Sequence, residues 1–234
     1  MGIGRAPNKR LSPFYRRLGP EFDQFARRGT TLVHRPVTNL IVAFHFDPTV
    51  LGTDLRWLHY FVDPLYIPKD YLALSFGRRI PQNPNSGLEA FPVSIDVQDE
   101  QKVQATICSM TEVGLPCLSQ MMTLEGFFDY LNAWGKDSTR VFRPWWFEAL
   151  AYTAVLLAKP ASALESLKGA LNFYRDTYGE DPNTMQPWQH EQIARIRLIE
   201  NLLTRGQMID AIKQLEVWEQ FSISALGLRD LVET

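Results

Sequence analysis

One two-helix phrase is written twice in the last third of the chain, and no other feature constrains the fold as strongly. Phe147 to Tyr178 reads as helix, a break at Lys159-Pro160, then helix; Trp188 to Phe221 reads as helix, a break at Arg205-Gly206, then helix. Laying Leu156-Leu157 on Leu202-Leu203 brings Lys159-Pro160 onto Arg205-Gly206. Two residues of slip then bring Ala163, Leu164 and Leu167 onto Ala211, Ile212 and Leu215. A period of 46 to 48 residues is longer than a tetratricopeptide unit and nearer the HEAT range. One helix pair cannot bury its own apolar stripe, so such pairs stack on something and leave a surface that holds a partner. The alternative is four antiparallel helices with similar stripes, packed as a bundle.

Punctuation supports the helices. Pro144 and Pro187 stand where a first-turn proline belongs. Gly179 and Gly206 stand where the helical pattern stops. Upstream, Thr123 to Trp134 predicts a helix with Gly135 as its stop, and a further helix begins after Asp96, with Gly114 and Pro116 ending it.

The first hundred residues read differently. Leu11 to Arg28 places Leu11, Phe14, Tyr15, Leu18, Phe22 and Phe25 near one helical face, interrupted at Gly19-Pro20 and stopped by Gly29. Strand-like runs follow at Thr30 to Arg35, Asn39 to Phe46, Asp54 to Val62, Tyr71 to Phe76 and Phe91 to Val97. Their short, Pro- and Gly-bearing connections favour antiparallel pairing, since parallel crossovers need intervening helices. The expected architecture is therefore α+β: an N-terminal helix and an antiparallel sheet of four to five strands, then a helical array of about six helices. The division falls at 1–97 and 98–234, with two helix-pair units in the second region.

Charge narrows the partners. Residues 1–35 hold eight basic and two acidic side chains, whereas the rest hold sixteen basic and twenty-four acidic. An acidic body on a short basic arm leans toward basic protein partners and away from nucleic acid. The arm reads as a basic first helix or as a targeting segment. No apolar run approaches the roughly 18 residues of a membrane span, and a cytoplasmic protein with no membrane association is expected. Cys108 and Cys117 sit in apolar surroundings and read as packing residues.

Candidate chemistry is sparse. His34, His45 and His59 lie in the strand region, and His45-Phe46-Asp47 resembles a ligand or relay pair. Metal-site spacings are not met, no nucleophile or phosphate-loop motif occurs, and no metal, cofactor or catalytic residue is assigned. A hydrolase or transferase using His45, Asp47 and His59 on the sheet is the alternative reading. The connector from Arg175 to Pro187 carries three acids and exceeds the usual helix-to-helix length. Long connectors on a rigid scaffold commonly present binding residues. Asp176, Tyr178, Glu180, Asp181 and Trp188 are the partner-binding candidates.

Phe22 to Gly29 running into strand-rich Thr30 to Phe76, together with Ala163 to Ala170 and Ala211 to Leu215, resembles the immunity proteins encoded beside bacterial polymorphic toxins. The resemblance implies a non-enzymatic bacterial protein of the cytosol that occludes the active site of one toxin domain. The acidic body would suit a basic toxin such as a nuclease. No functional residue is carried over by it.

Overall fold

The computed structural model describes residues 8–80, 92–135, 144–179 and 185–232, and shows an α+β protein. Contacts divide it into two compact units. The first comprises residues 1–65, 69–122 and 221–234; the second comprises 66–68 and 123–220.

The first unit is built on an antiparallel meander. Strands β1 (Phe25–Arg28), β2 (Thr31–His34), β3 (Leu40–Thr49), β4 (Gly52–Pro64) and β5 (Phe76–Arg79) lie in sequence order, and β6 (Val93–Ser94) pairs with the start of β4. The long β3–β4 hairpin organises the sheet, with Leu40 opposite Pro64 and His45 opposite His59. Burial alternates towards the tip of the hairpin, and both faces are buried near its base. Phe44, Phe46, Leu58 and Tyr60 are buried on one face, where Phe14, Tyr15, Phe22 and Phe25 contribute aromatic contacts to Phe44 and Phe46. On the other face Val33, Ile41, Ala43 and Phe61 form a core with Ile223, Leu226, Leu228 and Leu231 from the end of the chain. Val37 ties that end down by donating its amide to Leu231 O at 2.8 Å.

Part of the amphipathic run at the N-terminus is strand. Only Ser12–Tyr15 (α1) is α-helical, Pro20–Phe22 forms a single 3₁₀ turn, and Phe25–Arg28 pairs with β2. Gly29, expected to stop a helix, instead makes the β1–β2 turn with φ of 53°. Phe25 is buried in the extended segment, whose ladder with β2 takes the place of the expected helix. Residues 71–75, expected as strand, lie outside the ladder, and pairing begins at Phe76.

Glycines mark two close approaches. A Cβ on Gly77 would sit 1.9 Å from the carbonyl oxygen of Tyr60, so the β4–β5 ladder excludes any side chain there. Gly114 does not end a helix. It lies inside one continuous run formed by α2 (Glu100–Ser109), a π-helical turn (Met110–Gly114) and α3 (Leu115–Ser119). There a Cβ would meet the Phe44 ring at 2.3 Å, so glycine lets this helix pack against the sheet.

The second unit is helical: α4 (Leu124–Gly135), α5 (Pro144–Leu156), α6 (Pro160–Tyr178), α7 (Pro187–Thr204) and the greater part of α8 (Met208–Leu226). Consecutive helices pack, α4 on α5, α5 on α6 and α6 on α7. Prolines begin α5, α6 and α7; Gly179 and Gly206, with φ of 71° and 73°, follow α6 and α7. Gly135 is the last residue of α4, and a Cβ there would strike the Trp146 indole at 2.1 Å. Ala149, Ala151, Ala154, Ala163 and Ala170 are fully buried, which lets α5 and α6 approach closely.

A polar network crosses this core. Glu148, 1% exposed, accepts from Arg195 Nε at 3.0 Å and from Gln192 Nε2 at 2.7 Å, and Tyr174 donates to Gln192 Oε1. The carboxylate is paired and hydrogen-bonded, the condition under which a buried charge is tolerated.

Candidate functional site

The sequence pointed to the α6–α7 connector, and the structure redraws its boundaries. Arg175, Asp176 and Tyr178 are not loop residues, because α6 continues through Tyr178. Asp176 is exposed on the last turn of α6, with the Arg175 Nε at 3.5 Å. Tyr178 is half-buried, its ring 6.1 Å from that of Tyr174. Trp188 lies in the first turn of α7 and is 48% exposed. Glu180 and Asp181 fall outside the described residues.

Between the end of α6 and the start of α7 lies a groove of about 500 Å³. Leu171, Met185 and Ile193 give it apolar walls, while Asn172, Arg175, His190 and Arg197 give it polar ones. Leu171, Tyr174 and Arg175 recur at intervals of three and four on α6, and His190, Ile193 and Arg197 do so on α7. Such spacing places each set on one helical face. The same spacing is present in the sequence, on either side of the acidic connector. The start of α7 is held by a capping box in which Gln186 N donates to Gln189 Oε1 at 2.6 Å. The groove wall is thus formed by fixed helix ends.

The histidines expected on the sheet divide into two kinds. His34 stands apart, with Nε2 2.9 Å from Gln24 Oε1. His45 and His59 are direct cross-strand partners, and Asp47 joins them from the same face of β3. His45 Nε2 lies 2.9 Å from Asp47 Oδ1, and His45 Nδ1 lies 2.8 Å from the Thr31 hydroxyl. His59 Nε2 lies 3.3 Å from Asp47 Oδ2 but out of hydrogen-bonding alignment. Arg79, opposite His59 on β5, stacks its guanidinium 4.3 Å over the Trp57 ring.

Burial lowers the pKa of both His45 and His59; Asp47 opposes this at each, and Arg79 and His45 add to it at His59. Both imidazoles are therefore neutral at pH 7. With Nε2–H of His45 donating to Asp47, its Nδ1 must accept from Thr31, so hydroxyl, imidazole and carboxylate form one chain. Thr31 is 2% exposed, which closes that chain to substrate at its hydroxyl end. Among the described residues no group of three His, Cys, Asp or Glu is arranged to hold a metal ion. No helix of the described residues is long and apolar enough to cross a membrane.

Comparison with protein-family models, with curated proteins and with solved structures finds no match to this chain.

Proposed function

We propose that this is a binding protein that makes and breaks no bonds of its own and receives one protein partner on the helical unit. The observation that carries the reading is the groove between the ends of α6 and α7. It pairs apolar walls with a few polar groups on fixed helix ends, and the large, exposed Trp188 lies on the same first turn of α7 as His190. Tryptophans of this kind dominate interface energetics. Asp176, exposed on the last turn of α6 next to the lining residue Arg175, contributes an acid on the same unit. By the resemblance noted in the sequence, the partner is a basic toxin domain whose active site is covered, and complementary charge speeds the encounter.

The test is copurification of the tagged chain from its native host, scored for a stoichiometric protein partner. Trp188→Ala should weaken that complex about tenfold or more, as loss of an aromatic anchor does. Asp176→Ala should mainly slow association. Recovery of the wild-type chain alone, or a complex indifferent to Trp188→Ala, rejects the reading.

A second reading draws on the Thr31–His45–Asp47 chain, which has the order of groups used by nucleophilic hydrolases and transferases. It requires the Thr31 hydroxyl to be uncovered, or His59 to act as a base in its own right. Turnover of an ester or amide panel that disappears in His45→Ala and in His59→Ala would establish it over the binding reading.

A further inference from the structure

Arg56 is a charge on the core side of its strand. It shares the buried face of β4 with Leu58 and Tyr60 and is 5% exposed. Its Nη1 donates to two backbone carbonyls, Thr53 O at 2.7 Å and Leu55 O at 2.6 Å. Its Nε is buried with no acceptor. Among the described residues neither Arg56 nor Arg10 has a carboxylate at ion-pairing distance. Burial lowers the pKa of Arg56, and the neighbouring charge that acts on it most is a like one, Arg10; Asp54 opposes with less effect.

A buried guanidinium without a counter-charge is costly, and a second cation beside it raises that cost. Both arginines line an open cavity of about 440 Å³, together with Asn8, Thr49 and Thr53. Two guanidinium groups, the Thr49 hydroxyl and the Asn8 amide keep donors for an oxyanion with three free oxygens, whereas the Thr53 hydroxyl already donates to Asp54. One edge of the same cavity is apolar. Val50, at the tip of the β3–β4 hairpin, lines it and is fully exposed, and Leu51 beside it is 64% exposed. Two exposed aliphatic side chains at a hairpin tip next to paired cations match a ligand with a charged head and an apolar remainder.

We propose that the Arg10–Arg56 cavity binds a phosphate monoester, with Val50 and Leu51 covering the organic part of the ligand. The phosphate can be that of a soluble ester or of an anionic lipid headgroup, since both present the same oxygens. The site is independent of the groove between α6 and α7 and of the partner proposed for it.

The full chain would be titrated with inorganic phosphate and with glycerol phosphate by calorimetry, then sedimented with phosphatidylcholine vesicles with and without phosphatidic acid. Binding by the wild type, weakened about tenfold or more in Arg10→Gln, is the expected result, because a charge-assisted contact is lost at an exposed position that the fold does not need. Sedimentation only with phosphatidic acid, abolished by a Val50→Ser, Leu51→Ser double variant that still binds phosphate, assigns the lipid. Binding of glycerol phosphate without sedimentation assigns the soluble ester. If the wild type binds neither probe, or if Arg10→Gln binds like the wild type, the proposal is overturned.

Discussion

Each unit gathers histidine, arginine or glutamine side chains around a carboxylate, and the two do so in opposite ways. In the helical unit Glu148 is sealed from water and answered by Arg195, a cation that never loses its proton. In the sheet unit Asp47 is 38% exposed at its side chain and is answered by His45 and His59, whose burial favours their neutral forms. The first arrangement pairs a fully buried carboxylate with a guanidinium at the edge of the core. The second is a set of polar contacts around a partly exposed carboxylate, adjustable by pH. Removing a member should therefore be catastrophic in one unit and modest in the other.

The largest effect is expected from Glu148→Ala, which strands Arg195 without its carboxylate. Breaking a buried pair on one side costs about 3–5 kcal/mol. A Glu148→Leu, Arg195→Met double variant, which removes both charges and keeps volume, should recover most of that loss. Urea melts of the wild type, single and double variants check it. A single variant that melts like the wild type would place Arg195 in solvent and end the contrast.

Asp63 sharpens the comparison, because it is a fully buried carboxylate inside the sheet unit. It accepts from Lys69 Nζ and from Ala73 N at 3.1 Å, pinning the segment that follows β4. Lys69→Met should cost about 3 kcal/mol near pH 7.5. Burial already raises the Asp63 pKa, and losing Lys69 raises it further. A carboxyl with a raised folded pKa takes up a proton more readily when folded, so stability grows as pH falls. The Lys69→Met penalty should accordingly shrink at pH 5, where melts would show the variant closing on the wild type.

In the wild type the buried histidines of the sheet pull stability the opposite way from Asp63 as pH falls. His45 and His59 have folded pKa values below their ordinary 6.5, so the unfolded chain binds more protons near and below that pH. Their contribution is intact above 6.5 and is lost as pH falls through the folded values. Each supplies a slope of at most about 1.4 kcal/mol per pH unit. Thermal melts from pH 7.5 to 5.5 should show a falling midpoint, and a His45→Gln, His59→Gln variant should flatten that fall. An unchanged slope would mean that other groups carry it.

What the sequence revealed follows the same division. The helices of the second unit announce themselves because their starts and stops are local: Pro144, Pro160 and Pro187 fix φ, and Gly179 and Gly206 take a positive φ. The strands β3 and β4 were legible from alternation, but not that His34 stands apart while Asp47, inside β3, joins His45 and His59. Phe22 to Arg28 was not legible, because the spacing of three between Phe22 and Phe25 reads as helical, and only the pairing of Phe25–Arg28 with β2 overrules it. Gly114 was misread for a related reason. The contact that demands glycine there comes from Phe44, seventy residues earlier in the chain. Arg56 carried a signal that was passed over: a charge in register with Leu58 and Tyr60 on an otherwise apolar strand face.

The smallest effect on stability should come from Trp188, and that is what makes it informative. Its side chain is about half in water, and an exposed substitution away from caps and cores usually changes stability by less than about 0.5 kcal/mol. Trp188 does sit in the first turn of α7, but the capping contacts there belong to Gln186 and Gln189. Trp188→Ala should therefore melt with the wild type while losing its partner. Glu148→Ala would lose partner binding as well, through a disordered scaffold, and its melt would reveal the cause. A variant stable alone and deficient only in binding locates recognition on the surface of the helical unit. If Trp188→Ala instead lowers the midpoint by several degrees, the indole is packing that unit together, and the groove beside it must find its anchor elsewhere.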